Sequence, residues 1–367
     1  MKVLFLTNIP SPYRVDFFNE LGKICDLTVL FERKSAKDRN PEWVADKLSN
    51  FKAVFLKGIK FGAAEAICPG VIKFLSNKRF DVIVVGMYSS PTGMLAIEYM
   101  KTKKIPFILN SDGGIIKDDS GFRHKIKEHF IGSASAWLST GKMTTEYLVY
   151  YGADPQKTYV YPFTSVMKKE ILDRPLSKEE KKFYKDKLGM KENKIVLSVG
   201  QFIYRKGYDL LLKSCKDLDK SIGIYIVGGK PMEEYLTLKK ELNLTNVYFV
   251  DFMKKDKLSD YYKAADLFVL PTREDIWGLV INEAIANGLP VLTTDKCVAG
   301  LEIIKDNGNI CSLDTNWAKK IMCLLKDENK DALKDMSFKS LKIAETYSTE
   351  NMAQVHYEFF ERFLCNE

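Results

Sequence analysis

Two acidic residues lie at a spacing that suits the binding of sugar hydroxyls. Asp275 and Glu283 have seven residues between them, and Gly278 stands between the two, where an apolar helical stretch begins. A carboxylate that accepts hydrogen bonds from adjacent hydroxyls makes charge-assisted bonds. The start of a helix presents unpaired N–H groups and the positive end of a dipole, which favour a diphosphate. The segment therefore predicts a site for a phosphorylated sugar, although surface acids on an ordinary amphipathic helix are the alternative.

A second segment supplies positive charge. Arg205 and Lys206 precede Gly207, shortly after the apolar run Ile195–Val199. A Lys-Gly pair before a helix occurs in many loops, so its interpretation depends on the acidic segment.

The elements that must position these residues alternate between short apolar runs and longer amphipathic stretches. This pattern predicts parallel sheets with helices on both faces. We expect an α/β chain with two Rossmann-like doubly wound domains, an N-terminal one at 1–166 and a C-terminal one at 194–347. A Lys- and Glu-rich linker is predicted at 167–193. The last helix, 348–367, is expected to pack back toward the N-terminal domain.

Open parallel sheets bind ligands at the carboxyl ends of their strands, so the site is expected in a cleft where those ends face each other. The predicted strands are Val3–Thr7, Leu27–Phe31, Val82–Val85, Phe107–Leu109, Ala136–Ser139, Ile195–Val199, Gly223–Val227, Val247–Val250, Leu267–Leu270 and Val291–Thr293.

Composition narrows the class of protein. The 367 residues are 46% apolar and 28% charged, as in a globular enzyme. The net charge is +8, and residues 1–165 hold 23 basic and 16 acidic side chains against 33 and 32 in the rest. This excess favours anionic partners or simply a solvated surface. The even charge of the second half and the lack of aromatic-basic clusters argue against nucleic acid. Seven scattered cysteines, no signal peptide and no membrane-spanning stretch predict a cytoplasmic chain without structural zinc.

The segment 271–290 resembles the acidic-x7-Glu motif of retaining glycosyltransferases of family 4, which have the GT-B fold. The loop 199–207 is similar to the Val-Gly-Arg…Lys-Gly loop of that family. Further similar stretches lie at 226–229, 264–271 and 299–302. The resemblance covers essentially the whole chain. It implies two Rossmann-like domains and a nucleoside-diphosphate sugar, such as a UDP- or GDP-sugar, as the donor.

The resemblance also implies roles for single residues. Glu283 falls on the acid that binds the donor ribose, and Asp275 on the acid that contacts the transferred sugar. Lys206 falls on a cation that neutralises the diphosphate, whereas Gln201 replaces the second cation, for which Arg205 is the candidate substitute. The implied donor-binding residues are Gln201, Arg205, Lys206, Phe252, Met253, Asp275, Ile276, Trp277, Gly278, Leu279 and Glu283.

The acceptor side is implied in the first half of the chain. The loop 8–14, with Tyr13 and Arg14, looks like an acceptor loop of one bacterial subgroup, and Asp112 stands where the family often has a His-Asp pair. None of the three histidines lies near Asp112 in the sequence, and a turn-forming Asp is an equal alternative there. The basic and apolar stretch 123–130 has helical spacing, which suits an anionic membrane surface or a solvated helix face.

The predicted function is therefore transfer of a sugar from a nucleoside-diphosphate sugar to an acceptor hydroxyl, with retention and without a metal or cofactor. Asp275, Lys206 and Asp112 are the predicted catalytic residues. The expected setting is bacterial capsule, O-antigen or exopolysaccharide assembly at the inner face of the plasma membrane. The expected acceptor is a glycan or is linked to polyprenyl diphosphate. The alternatives are a GT-B-fold sugar-nucleotide epimerase or hydrolase, and a non-catalytic sugar- or nucleic-acid-binding protein.

Overall fold

The chain divides into two compact units. A computed structural model describes residues 1–35, 48–61, 65–117, 119 and 121–365. The first unit consists of Met1–Met167 and Tyr347–Glu367, and the second of Lys168–Thr346. In the part of the chain that is described, no helix is both long and apolar enough to cross a lipid bilayer.

The first unit is built on a seven-stranded parallel sheet with helices along it, in the strand order β3-β2-β1-β6-β7-β8-β9. Its strands are β1 Lys2–Thr7, β2 Asp26–Phe31, β3 Lys52–Phe55, β6 Val82–Val85, β7 Ile108–Asn110, β8 Ala136–Ser139 and β9 Thr158–Val160, with β4 Ile59–Phe61 and β5 Glu65–Ile67 as a separate antiparallel pair. Its helices are α1 Pro12–Leu21, α2 Pro91–Thr102, α3 Phe122–Ile131, α4 Lys142–Tyr150 and α13 Thr349–Cys365.

The second unit contains a six-stranded parallel sheet in the order β12-β11-β10-β13-β14-β15. Its strands are β10 Lys194–Val199, β11 Ile222–Val227, β12 Val247–Val250, β13 Leu267–Leu270, β14 Val291–Thr294 and β15 Gly308–Cys311. Its helices are α5 Lys178–Lys187, α6 Tyr208–Ser214, α7 Glu233–Glu241, α8 Lys255–Ala264, α9 Leu279–Ala286, α10 Val298–Ile303, α11 Trp317–Leu324 and α12 Lys330–Thr346.

The predicted α/β class is confirmed, with one parallel sheet in each unit. The central strands are buried along their whole length, as β13 and β14 are, which is why they read as continuous apolar runs. The edge strands β3, β9 and β15 escaped prediction because they are short and only partly buried.

The segment predicted as a linker packs as part of the second unit. Helix α5 begins with a capping box between Ser177 and Glu180. Two of its lysines, Lys181 and Lys185, reach the Asp266 carboxylate just before β13, with N–O distances of 3.2 and 2.8 Å. Asp266 also accepts the backbone N–H of Ile195 at 2.9 Å. Although burial favours its neutral form, the two lysines hold the pKa of Asp266 below its ordinary value. These charges attach α5 to the residues just before β13, and Asp266 in turn binds the start of β10.

We predict that Asp266→Asn destabilises the second unit. The substitution keeps the shape but removes the charge that the two lysines share, which should cost about 1.5–3 kcal/mol at pH 7. A carboxylate whose folded pKa is depressed stabilises the fold above its unfolded pKa, and this contribution is lost as the pH falls through the folded value. Urea unfolding at pH 7 and at about pH 3 measures the difference, which should shrink at the lower pH.

The matched control is Asp260→Asn. Asp260, in α8, also pairs with a lysine of α5, Lys187, but the Lys187 side chain is 53% exposed. Its removal should change the free energy of unfolding by less than about 1 kcal/mol. Equal losses for the two variants would contradict the role assigned to Asp266.

Candidate functional site

The two predicted ligand-binding segments lie at the carboxyl ends of adjacent strands in the second sheet. From β10 the chain adds β11 and β12 on one side, and it then returns to place β13 on the other side of β10. Ligands of open parallel sheets bind at such a reversal, beyond the carboxyl ends of the strands. The segment with Arg205 and Lys206 follows β10, and the segment with Asp275 follows β13. The fold therefore places the predicted phosphate and sugar residues beyond adjacent strands.

An ion cluster joins these two segments. The Asp275 carboxylate accepts hydrogen bonds from Lys206 Nζ at 2.5 Å and from Arg205 Nη1 at 3.2 Å. Lys206 and Asp275 are each only 8% exposed. Arg205 Nη1 also donates to the backbone carbonyl of Glu274 at 2.6 Å. Buried charges are tolerated when they are paired, and here two cations share one carboxylate. The cluster keeps a net positive charge at a site predicted to bind a diphosphate.

The Asp275 backbone is held by the loop after β14. The Asp275 N–H donates to the Lys296 carbonyl at 2.9 Å, and the Asp275 carbonyl accepts the N–H of Val298 at 3.1 Å. Gly278 follows at φ +105°, and a Cβ there would lie 2.8 Å from the Sγ of Cys297. Glycine is required here by both the positive φ and the close approach. Its conformation lets α9 begin directly beside the ion cluster.

Glu283 lies in α9 and is half-buried. Its Oε2 accepts the hydroxyl of Tyr262 in α8 at 2.9 Å. Burial and the neighbouring carboxylate raise the pKa of Tyr262, which keeps the phenol protonated as the donor of this bond. Glu283 is thus oriented by α8 in the structure as it stands.

The remaining predicted donor residues differ in how exposed they are. Gln201 and Ile276 are exposed, while Phe252, Met253 and Leu279 are half-buried. Trp277 is only 4% exposed, and its Nε1–H donates to Asn282 Oδ1 at 2.9 Å. The Trp277 indole therefore packs against α9. Its burial does not favour contact with a ligand. The roles of Gln201, Phe252 and Met253 in donor binding stay predictions.

In the first unit the predicted acceptor residues form a polar cluster after β7. Asp112 Oδ1 accepts from the Arg14 guanidinium, from the Tyr161 hydroxyl at 2.8 Å and from Asn110 Nδ2 at 3.1 Å. Arg14 is 3% exposed and lies over the rings of Tyr13 and Phe163, among others. The Asp112 side chain is 29% exposed. Asp112 is therefore better placed than Arg14 to meet a ligand, and Arg14 fixes its orientation.

A histidine that is distant in the sequence lies beside this cluster. His356 in α13 places Nε2 2.9 Å from Asn110 Oδ1, and Asn110 in turn donates to Asp112. The ring also packs 4.5 Å from that of Tyr161. His356 has no exposed surface, and burial lowers its pKa to about 3. It is a buried neutral residue that supports Asn110. Only the packing of α13 against α1 could have revealed it.

A metal site is not among the features of the described residues. No three His, Cys, Asp or Glu side chains in that part of the chain lie close enough together to share an ion. Metal independence of the reaction remains a prediction.

Comparisons with known proteins agree with the geometry. Residues 180–338 match the family described as glycosyl transferases group 1. Lipopolysaccharide glucosyltransferase WaaG of Escherichia coli K12 is 29% identical over 172 residues, which are 45% of each chain. The alpha-galactosylglucosyldiacylglycerol synthase of Streptococcus pneumoniae is 28% identical over 269 residues, which are 71% of this chain and 67% of that one.

Among solved structures, HepE of Anabaena in complex with UDP superposes with a TM-score of 0.77 at 16% identity, covering 99% of this chain and 100% of that one. This likeness concerns the fold. The chain spans about half the length of most of the curated relatives it matches. Taken together with the parallel sheets and the paired segments after β10 and β13, the comparisons show that the chain has the GT-B fold and that residues 180–338, in its second unit, are similar to the glycosyl transferases group 1 family.

Proposed function

We propose that this chain transfers a sugar from a nucleoside-diphosphate sugar to an acceptor hydroxyl, with retention of the anomeric configuration and without a metal ion. The donor is a UDP- or GDP-sugar. The acceptor is a glycan, or a glycan linked to polyprenyl diphosphate, in the assembly of a bacterial surface polysaccharide. The reaction takes place in the cytoplasm, at the inner face of the plasma membrane.

The observation that carries the proposal is the ion cluster after β10 and β13. Lys206 and Arg205 stand beside the start of α9, so two cations and the positive end of a helix dipole converge on one place. A diphosphate supplies the charge and the several acceptor oxygens that such a place binds best. Similar proteins support a nucleotide sugar as the donor. WaaG is a glucosyltransferase, and HepE was solved in complex with UDP.

The chemistry follows from where charge develops. The bond between the anomeric carbon and the diphosphate oxygen breaks, the anomeric carbon gains positive charge, and the leaving oxygen gains negative charge. Lys206 and the first N–H groups of α9 stabilise that oxygen, as preorganised donors do in other enzymes, where one is worth about 3–4 kcal/mol. The acceptor hydroxyl then bonds to the same face, and its proton passes to the leaving phosphate. The Asp275 carboxylate accepts hydrogen bonds from the hydroxyls of the transferred sugar.

The acceptor is assigned to the first unit on the strength of Asp112. Its carboxylate is partly exposed and is oriented by Arg14, Tyr161 and Asn110. The membrane part of the proposal concerns α3, which carries the exposed residues Arg123 and Lys125, with Phe122 79% exposed at its start. Basic and apolar side chains on one short helix favour an anionic lipid surface.

Binding of nucleotide sugars tests the proposal directly. Thermal unfolding is measured with UDP, GDP, UDP-glucose and GDP-mannose, since a ligand that binds only the native state adds about 2.7 kcal/mol at a hundredfold excess over Kd. Product analysis without an acceptor separates transfer from the epimerase and hydrolase alternatives, which would consume the donor. A chain that none of these nucleotides stabilises would contradict the proposal.

Glu283→Gln should weaken the binding of both the nucleoside diphosphate and the donor sugar, because the ribose is common to both. A lost charged hydrogen bond should cost about 1.5–3 kcal/mol. The amide oxygen can still accept the Tyr262 hydroxyl, so the fold should be kept. Calorimetric titration measures the change, with Glu241→Gln, an exposed residue of α7, as the control. Equal affinity of the Glu283 variant and the wild type for UDP and GDP would refute the ribose assignment.

Asp275→Asn should lower turnover while tightening the binding of the nucleoside diphosphate. The carboxylate is the counter-ion of Lys206 in the ligand-free protein, and its removal leaves a buried cation that a diphosphate can pair with. The sugar, however, loses its carboxylate contact. Nucleotide titration and donor turnover are measured on the same preparation. Weaker diphosphate binding by the variant would mean that Asp275 does not compete with the ligand for Lys206.

Lys206→Ala should cut donor turnover much more than it cuts the binding of the bare nucleoside, because the charge that Lys206 serves grows as the sugar leaves. Gln201 is exposed, so Gln201→Arg introduces a further cation without repacking. The arginine should tighten diphosphate binding and partly restore Lys206→Ala. Diphosphate affinity and turnover of both single variants and of the double variant are compared. Wild-type turnover by folded Lys206→Ala would place the diphosphate elsewhere.

A further inference from the structure

The turn that carries Arg205 and Lys206 is a short irregular element. It is a single 3₁₀ turn, Tyr204–Lys206, between β10 and α6. The backbone leaves it through Gly207 at φ +69°, where a Cβ would lie 2.0 Å from the Pro271 carbonyl oxygen. The hydrogen bonds within the turn are local, from the Lys206 N–H to the Ile203 carbonyl and from the Gly207 N–H to the Tyr204 carbonyl. Such a turn depends on contacts from outside for its position.

Those contacts come from two residues after β13. The Arg205 carbonyl accepts the backbone N–H of Arg273 at 2.7 Å and the Thr272 hydroxyl at 2.9 Å. The Tyr204 carbonyl accepts Arg273 Nη1 at 3.0 Å. Thr272 is fully buried. Thus Thr272 and Arg273 fix the backbone of the turn, while Glu274 and Asp275, next along the same segment, receive the Arg205 and Lys206 side chains.

The Arg273 guanidinium is itself fixed. Its Nη1 and Nη2 donate to the two carboxylate oxygens of Asp209 in α6, both at 2.7 Å. The Tyr204 ring lies 4.0 Å from the guanidinium carbon, so the turn also covers the cation with an aromatic face. Asp209 is 5% exposed, and although burial opposes its charged form, Arg273 lowers its pKa. A planar guanidinium whose two terminal nitrogens both bind one carboxylate has little freedom to move.

We propose that Arg273, anchored by Asp209, is a positioning residue for the diphosphate site: it sets where Arg205 and Lys206 stand without touching the donor. This role rests on the proposed function. Its physical reason is that a charge aimed at a phosphate oxygen acts fully only when its carrier is already in place, and small displacements in a site are costly. Arg273 fixes the backbone of the turn, whereas the ion cluster holds the side chains of Arg205 and Lys206.

Equilibrium binding of UDP and of uridine tests the role without an acceptor. The two ligands differ only in the diphosphate, so the ratio of their Kd values isolates its contribution. In Arg273→Gln the Kd for UDP should rise about tenfold, the size of a typical coupling between neighbouring residues, with the Kd for uridine unchanged. Arg273→Lys keeps the charge but lacks the two-pronged contact, and it should give a smaller rise. GDP and guanosine form the parallel pair.

The matched control is Lys213→Met. Lys213 also pairs with Asp209, at 3.7 Å, but it is 63% exposed and does not contact the turn. It should bind UDP and uridine as the wild type does. A double-mutant cycle with Lys206→Ala completes the test: if Arg273 acts through Lys206, Arg273→Gln should add little to the loss in UDP affinity of that variant.

Several outcomes would overturn the role. Equal weakening of UDP and uridine would mean that Arg273 only supports the fold. Losses that multiply both in this cycle and in the same cycle with Arg205→Ala would mean that Arg273 acts through neither cation. If Arg273→Gln does not fold, Asp209→Asn, which loosens the same guanidinium, must show the selective loss of UDP affinity. Wild-type protein that binds neither UDP nor GDP would contradict the proposed function and this role with it. Normal wild-type binding with an unaffected Arg273→Gln would contradict the role alone.

Discussion

The rest of the site depends on the buried Asp275 carboxylate, which is shared by the buried Lys206 and by Arg205, whose side chain is 41% exposed. Burying the charges of Asp275 and Lys206 is costly, and the cost is offset only while they remain paired. The pairing requires that β10 and β13 be neighbours, since Lys206 follows one strand and Asp275 the other. It also requires the backbone bonds from the loop after β14, which hold Asp275 where Lys206 can reach it. The order of the strands is therefore what converts two distant sequence motifs into one charged site.

The sequence could predict what is encoded locally. Buried strands read as apolar runs, and Asp275, Glu283 and Lys206 lie in motifs whose spacing is informative. Contacts between distant segments could not be read in this way. Arg273 and Asp209 are 64 residues apart, and their pairing follows only from the adjacency of β10 and β13. The contact of His356 with Asn110 spans 246 residues and exists because α13 returns to α1 in the first unit. No local pattern marks either pair.

The two units orient their key carboxylates by different means. Asp275 is balanced by two cations, so its charge is largely spent within the protein until a ligand intervenes. Asp112 receives one cation, from Arg14, and two neutral donors, from Tyr161 and Asn110, all on the same oxygen. Neutral donors orient a carboxylate without cancelling its charge. In the proposed complex, Asp112 is thus suited to accept a hydroxyl, whereas Asp275 is suited to exchange partners when a diphosphate binds.

Gln201 stands where the family that this chain resembles has a cation, and this difference changes how the site balances its charge. Arg205 and Lys206 are adjacent in one turn, and their like charges repel unless an anion lies against both. In the ligand-free protein that anion is Asp275, and in the proposed complex the diphosphate shares the task. Two adjacent cations also need a backbone that resists their repulsion, which the bonds from Thr272 and Arg273 to the Arg205 carbonyl provide. Because the two cations are neighbours on one turn and are not spread along the loop 199–207, the site relies on the rigidity of that turn.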